Sequence, residues 1–345
     1  MTDASARRSD LPMEALMEMV GGAQATVVVQ AAVELGVFDQ LAGGSSDAGS
    51  VAAEIKADER GTRILLEALA AISLVEIDAG GYRLSPLADA ALVHGRPAYF
   101  GGMVRLMADM LQRTGPHLAA AVRHGGTVLE ENADAPEFAL FEEFAAASAP
   151  MARVHAEALA GILAPFVAGR DGGLDVLDVA CGSGLYSLTL AGRYPQARVT
   201  LNDWANVLEV TRGTVDRLGL GDRAAFLPGD VFEIPLGGPY DLIVASNIFH
   251  MFSEERSRRL LGRLAGALRP GGRLAIQGPM AAGAPTDDRF PRLFSMLLLA
   301  MTSGGEAHTL STYERLLADA GLVVLDVHDL PGVNGSRSLI AGHRQ

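Results

Sequence analysis

The chain has one cysteine, Cys181, one tryptophan, Trp204, and one lysine, Lys56. A single cysteine excludes an intrachain disulfide and a thiolate-rich zinc cluster. Nearly all the positive charge is therefore arginine, and it is outnumbered: 28 Lys+Arg stand against 41 Asp+Glu, a formal net charge of −13. An acidic chain with no offsetting Lys/Arg block repels nucleic-acid phosphates and anionic membrane surfaces, so neither is an expected partner. Long hydrophobic runs are missing too. Stretches such as Phe294 to Met301 are too short to span a bilayer. Arg7–Arg8 lead into Ser9-Asp10-Leu11-Pro12, which is not the apolar core of a signal peptide. These absences together predict a cytoplasmic protein.

What is present is ordinary for a globular protein: 345 residues, 49% hydrophobic and 20% charged. At about 100–200 residues per domain, that length predicts two domains with a sizeable core. Met13 to Leu41 has helical periodicity, ended by Gly43-Gly44-Ser45-Ser46; Val51 to Ile55 and Thr62 to Ile72 are further helices. Leu74-Val75-Glu76-Ile77 and Tyr82-Arg83-Leu84-Ser85, split by Gly80-Gly81, predict a hairpin. Helices followed by a β-wing make residues 13–95 a winged-helix-like module. Such modules often bind DNA, and a ligand-sensing transcriptional regulator is one reading of the chain. The candidate recognition helix, Asp58 to Leu69, sets Arg60 and Arg63 among Asp58, Glu59 and Glu67, a poor mixture for a phosphate-facing surface. A packing or dimerisation module is the plainer reading.

Residues 96–165 read as connecting helices, Tyr99 to Val122 and Phe138 to Leu163, flanking an acidic loop. Met103, Leu106, Met107, Met110 and Leu111 form a stripe that suits either core or the wall of an aromatic pocket. From residue 166 to 345 strand-like and helical runs alternate: Leu174–Val179, Tyr186–Arg193, Ala197–Leu201, Val207–Leu218, Tyr240–Ala245, Glu254–Leu268, Arg273–Gln277, Thr312–Ala320, Leu322–Val327 and Ser338–Ala341. That alternation predicts an α/β fold with a doubly wound, mostly parallel sheet.

The strongest motif is Asp178-Val179-Ala180-Cys181-Gly182-Ser183-Gly184, directly after the first of these strands and opening a helix. Gly182 and Gly184 allow the backbone to approach a ligand closely; the first glycine of the usual pattern is Ala180 here. Asp203, with Trp204 beside it, follows the second strand, where an acid accepts hydrogen bonds from ribose hydroxyls. Up to this point a pyridine dinucleotide and S-adenosylmethionine compete. Gly229-Asp230-Val231-Phe232 supplies an acid and an apolar neighbour suited to an adenine ring. Tyr186 and Ser187 stand where a dinucleotide fingerprint continues to a third glycine, which favours S-adenosylmethionine.

Taken together these motifs resemble small-molecule O-methyltransferases of the plant-type superfamily, in its bacterial natural-product branch. The resemblance covers nearly the whole chain. It implies a winged-helix dimerisation domain, hence a homodimer, followed by a class I S-adenosylmethionine-binding domain. It implies that Asp178, Ala180, Gly182, Gly184, Asp203, Trp204, Gly229, Asp230, Val231, Phe232, Ser246 and Asn247 line the cofactor site. Ser246-Asn247-Ile248-Phe249-His250-Met251-Phe252 follows the fourth strand, where the family places a catalytic histidine, here His250. Family members brace that histidine with carboxylates; the corresponding positions here are expected to be Gln277 and Ala307. His308 stands where arginine or tyrosine is commoner.

Methyl transfer requires alignment of acceptor, methyl and sulfur and an unprotonated nucleophile. A phenol has a pKa of about 10. A neutral imidazole within reach can take its proton as the methyl moves. O-methylation of a small, aromatic secondary metabolite with His250 as general base is the expected reaction, with no metal. C-methylation is the alternative, either of an indole-like carbon or of a 2-oxo acid held by metal on His250 and His308. Met103, Met107, Met151, His155, Met251, Gln277 and His308 are the expected pocket lining. Asp287 and Asp288 read as solvated.

Overall fold

A computed structural model describes residues 12–136, 138, 140–170, 172–284, 288–332 and 335–344. The chain divides into two compact units between Met110 and Leu111. The expected connecting segment, 96–165, therefore splits across that point.

The first unit opens with α1 (Met13–Glu34), α2 (Val37–Ala42), α3 (Ala48–Glu54) and α4 (Glu59–Ala71). The single helix expected over Met13 to Leu41 is broken because Gly36, at φ 72°, is left-handed and starts α2. Asp47 and Ser50 form a reciprocal capping box on α3, and Asp58 caps α4 by accepting from Gly61 N–H. β1 (Val75–Asp78) and β2 (Gly81–Leu84) pair antiparallel as the wing, followed by α5 (Pro86–Leu92). Phe38, Val51, Leu66, Leu69 and Val75 form the core. Along α1 only Gln30, Ala32 and Val33 are buried, while Met13, Leu16, Met17 and Val20 are exposed. α6 (Gly101–Thr114) contains the boundary.

The second unit begins with α7 (Leu118–His124), α8 (Leu140–Ala147) and α9 (Ala149–Ala168). Both long helical stretches expected here are interrupted, one at Gly115–Pro116 and the other at Ser148, just before Pro150. Proline has no N–H to continue a helical ladder and suits only a first turn. Then come β3 (Leu174–Val179), α10 (Leu185–Arg193), β4 (Ala197–Asp203), α11 (Ala205–Leu218), β5 (Ala224–Pro228), β6 (Tyr240–Ser246), α12 (Glu254–Ala267), β7 (Leu268–Pro279), α13 (Arg289–Met301), α14 (Leu310–Asp319), β8 (Leu322–Asp329) and β9 (Ser336–His343). The strands lie in the order β5-β4-β3-β6-β7-β9-β8. β9 is antiparallel to both β7 and β8, and the other pairings are parallel. This is the doubly wound, mostly parallel sheet that the alternation predicted.

Pleating divides each strand between two cores. Val176, Leu242, Val244, Ala275 and Ile340 face Ala156, Leu159 and Leu163 of α9. Leu177, Ile243, Ala245, Ile276 and Leu339 face Leu260 and Leu264 of α12 and Leu316 of α14. Each such leucine contributes roughly 1.5–3 kcal/mol by leaving water. Two helices, Met13–Glu34 and Ala149–Ala168, are long and apolar enough to cross a membrane by composition alone, which the search for long apolar runs missed. α9 is accounted for as a core helix, since seven of its residues are buried.

Candidate active site

The carboxyl ends of β3, β4 and β6 converge where the strand order reverses, the usual crevice for a ligand in an open α/β sheet. Cys181 N–H donates to Asn202 O at 3.0 Å, so the loop after β3 continues the sheet before turning. Gly182 (φ 54°) and Gly184 (φ 72°) are left-handed, and Gly184 begins α10. A Cβ on Gly184 would stand 2.8 Å from Thr211 Cγ2, so the packing of α10 on α11 itself requires glycine. Ala180 is also left-handed, at φ 49°. It bears the strain that a glycine would avoid.

Asp203 ends β4 and is nearly buried. One carboxylate oxygen accepts from Gly182 N–H at 2.8 Å and the other from Trp204 N–H at 2.8 Å. Each oxygen keeps a further lone pair for a ligand hydroxyl. Burial pushes its pKa up to about 6. Asp178 is fully buried. Its Oδ2 accepts from Ser187 Oγ at 2.6 Å, its Oδ1 has no partner among the described residues, and burial raises its pKa to about 7. Thr211 Oγ1 donates to Gly182 O at 2.6 Å, fixing the loop from α11. Neither Ser187 nor Thr211 was picked out by sequence as part of the site; both look like ordinary helix residues until the helices are docked. Gly229 N–H donates to Asp203 O, and Asp230 Oδ1 accepts from Phe232 N–H. The Phe232 ring meets Phe252 edge-on at 5.0 Å, with Arg256 and Arg259 over it. That packing leaves Val231 as the apolar side chain beside Asp230.

His250 lies in a single helical turn, Phe249–Met251, just beyond β6, and is 7% exposed. Among the described residues its ring accepts or donates no hydrogen bond, and it rests against Phe294 of α13 with centroids 5.1 Å apart. Burial, and then the charge of His308, hold its pKa down at about 3, so the imidazole is neutral. Phe294 was not anticipated, although Phe290 and Phe294, four apart on one helix, stack 5.7 Å apart and mark an aromatic face.

Two expectations, on Gln277 and on Asp288, need correction here. Gln277 does not face His250: it pairs with Ser246 across the sheet, and Ser246 Oγ donates to its Oε1 at 3.4 Å. The backbone position that does face the imidazole is Gly278, where a Cβ would stand 3.5 Å from His250 Nδ1 and 3.4 Å from Asn247 Oδ1. His308 is buried, and among the described residues its Nδ1 has no hydrogen-bond partner. Its Nε2 bonds the Phe252 carbonyl at 2.9 Å, tying down the loop that carries His250, while Glu306 lies 3.6 Å from its Nδ1. Asp288 is buried, accepting from Ala282 N–H and Arg337; Asp287 lies outside the described residues.

Asn247 is exposed and left-handed (φ 55°), and donates to the Tyr186 hydroxyl at 3.4 Å. Met151 and Met251 are half-buried in the second unit. His155 is buried on α9 and bonds Pro331 O at 2.9 Å, and burial lowers its pKa. Met103 is buried and Met107 half-buried within the first unit. A separate cavity of 460 Å³ opens at the amino ends of the strands, lined by Asp175, Arg198, Arg223 and Arg269. Arg223 and Arg269 are spent there on carbonyls and Asp241.

An O-methyltransferase domain model matches residues 117–323, and an O-methyltransferase dimerisation domain model matches residues 17–94. The chain belongs to the O-methyltransferase family and is a methyltransferase. Acetylserotonin O-methyltransferase of Mus musculus molossinus is 30% identical over 341 residues, covering 92% of this chain and 86% of that protein. The 3-hydroxy-5-methyl-1-naphthoate 3-O-methyltransferase of Streptomyces sahachiroi is 28% identical over 328 residues, covering 93% of each. A solved structure from Nostoc punctiforme, assigned as an O-methyltransferase, superposes with a TM-score of 0.88 at 28% identity, covering 96% of this chain and 99% of that one.

Proposed function

We propose that the protein transfers a methyl group from S-adenosylmethionine to a hydroxyl of a small aromatic acceptor, with His250 as general base. The observation that carries this reading is a neutral, buried imidazole beside a crevice whose other wall ends in Asp178 and Asp203.

The crevice fits the donor. Asp203 has lone pairs left for ribose hydroxyls, Asp230 and Val231 suit the adenine, and the unpartnered Asp178 Oδ1 suits a cationic or hydroxylated ligand. Gly182, Gly184, Ala180, Trp204, Gly229, Ser246 and Asn247 shape the walls, and the Phe232 ring packs behind them. When bound, S-adenosylmethionine supplies an electrophilic methyl on a sulfonium centre. His250 takes the acceptor's hydroxyl proton as that oxygen becomes a nucleophile. His308 holds the loop in place through Phe252 O. An imidazole so averse to charge works best on an already acidic hydroxyl, since proton transfer must not leave a long-lived buried cation.

Met151, Met251 and Phe294 wall the acceptor pocket in this reading. Residues 13–95 form the dimerisation module, in which a second copy covers the exposed apolar residues of α1, making a homodimer in the cytoplasm. The metal-assisted C-methylation route has less support, because no group of three or more His, Cys, Asp or Glu placed to hold a metal occurs among the described residues.

The test is an incubation with S-[¹³C-methyl]adenosylmethionine and phenols, indoles and 2-oxo acids, with and without a chelator. A new methoxy carbon signal, indifferent to chelator, is expected. A C-methyl signal moves the reaction to carbon, and failure of the protein to bind the donor at all removes the reading.

A further inference from the structure

Among the described residues a few buried side-chain polar atoms have no hydrogen-bond partner. Among them are Gln277 Nε2 and Ser338 Oγ. Gln277 is 2% exposed and Ser338 0%. They are direct cross-strand neighbours on β7 and β9, so their side chains share one face of the sheet. That face is the one packed on α9, because Ala275 and Ile340, two residues along each strand, lie in the same cluster as Ala156 and Leu159. Ser246, the last residue of β6, continues the row, and its hydroxyl donates to Gln277 Oε1. The amide is thereby oriented with its oxygen toward Ser246 and its N–H₂ toward the Ser338 side. Among the described residues, neither this amide N–H nor the Ser338 hydroxyl has an acceptor.

Leaving such groups unpaired in a protein interior costs stability, and apolar replacements would remove that cost. The row also sits at the ligand end of the sheet, one residue from the Gly278 backbone that abuts His250. Resting on the methyltransferase reading above, we propose that Gln277 and Ser338 form an acceptor-binding subsite that recognises a neutral carbonyl oxygen on the phenolic substrate. A carboxylate is a poorer match, because the row's one ionisable member, His328 opposite Ser338 on β8, already lies 2.8 Å from Asp326 Oδ2. Arg337, beside Ser338, belongs to the opposite face by strand alternation and is spent on Met280 O, Asp288 and Asp329. A ring carbonyl conjugated to the hydroxyl also makes that hydroxyl more acidic, which suits a base as weak as His250.

The probes are a matched pair, 6-hydroxy-1-tetralone and 5,6,7,8-tetrahydro-2-naphthol, which differ in one carbonyl. Binding of each to the full-length protein saturated with S-adenosylhomocysteine is measured by calorimetry. The ketone is expected to bind about tenfold more tightly, the worth of a hydrogen bond to an otherwise unpaired buried donor. Gln277→Met and Ser338→Ala are each expected to erase most of that preference. S-adenosylhomocysteine affinity should be unchanged, and the ligand-free Tm unchanged or raised by about 2–4 °C. The Tm readout separates lost recognition from damaged folding, and either variant alone suffices if the other fails to fold. Equal affinities for the two probes, including no binding of either, overturn the subsite and leave a buried water as its occupant. So does a preference that survives both substitutions. Failure of the unaltered protein to bind S-adenosylhomocysteine is a different result, which removes the methyltransferase reading and the subsite with it.

Discussion

The two sides of the crevice are built differently. On the β3–β4 side the chain nearly satisfies itself: Asp203 is held by Gly182 and Trp204, Asp178 Oδ2 by Ser187, and the Gly182 carbonyl by Thr211, leaving Asp178 Oδ1 without a partner among the described residues. On the β6–β7 side it does not. Among the described residues the His250 ring has no hydrogen bond, and Gln277 and Ser338 each keep a buried donor unpaired. The first side is pre-organised, so a ligand meets a rigid cradle and little ordering is needed on binding. The second is left to be completed by whatever enters. Such an asymmetry suits an enzyme with one invariant ligand and one particular to its own reaction.

The sharpest way to break this contrast is at His250. His250→Gln is expected to lower turnover about 10²–10⁴-fold, the usual worth of a general base, with S-adenosylhomocysteine affinity unchanged. Single-turnover rates and calorimetry on the same preparation check it, and undiminished turnover would end the base assignment.

A smaller effect is expected on the cradle side, and pH exposes it. Asp203 titrates at about 6 and Asp178 at about 7 in the ligand-free protein, both raised from 3.8 by burial. For such acids the folded state binds protons more readily than the unfolded chain. Their charge therefore costs stability as pH rises through these values, and that cost disappears toward pH 4. A ligand that needs the ionised carboxylates should bind more weakly as pH falls from 8 to 5. Turnover of the saturated enzyme should show no break at the usual histidine value, because His250 stays neutral down to about 3. Asp203→Asn is expected to weaken donor binding about 10–100-fold while stabilising the ligand-free protein at neutral pH. Calorimetry across this pH range and thermal unfolding at pH 7 test the pair of effects; loss of both affinity and stability would count against it.

The smallest effect concerns the motif's odd residue. Ala180→Gly relieves a left-handed alanine but adds unfolded-state entropy, for a net gain of up to about 1 kcal/mol. Chemical denaturation reads it, and a clear destabilisation would show that the Ala180 methyl packs more than its backbone strains.

The fold was legible because its signals are local. Strand runs such as Leu174–Val179, helical periodicity and the glycine loop at 182–184 each lie within a few residues. The cradle was legible for the same reason: Asp178, Asp203 and Asp230 stand at the ends of predicted strands. Helix interruptions were missed where a break needed weighing against periodicity, at Gly36, Pro116 and Pro150. The acceptor side was far less legible. Assigning Gln277 to the His250 side was a one-residue error along β7, and in a pleated strand one residue is the opposite face. That His308 holds the Phe252 carbonyl through its Nε2 is a contact no sequence pattern announced. Ser338 carries no motif and became visible only through its cross-strand neighbour.

The amino-acid order alone determined the order of most elements, the acidic net charge and the position of the loops after β3, β4 and β5, because each depends on short-range spacing or on a sum over residues. Tertiary structure decided which side chains meet His250, which polar atoms are left unpaired and which histidine is already engaged. Those properties depend on strand pairing and pleat direction between segments far apart in the chain, and no local pattern encodes them.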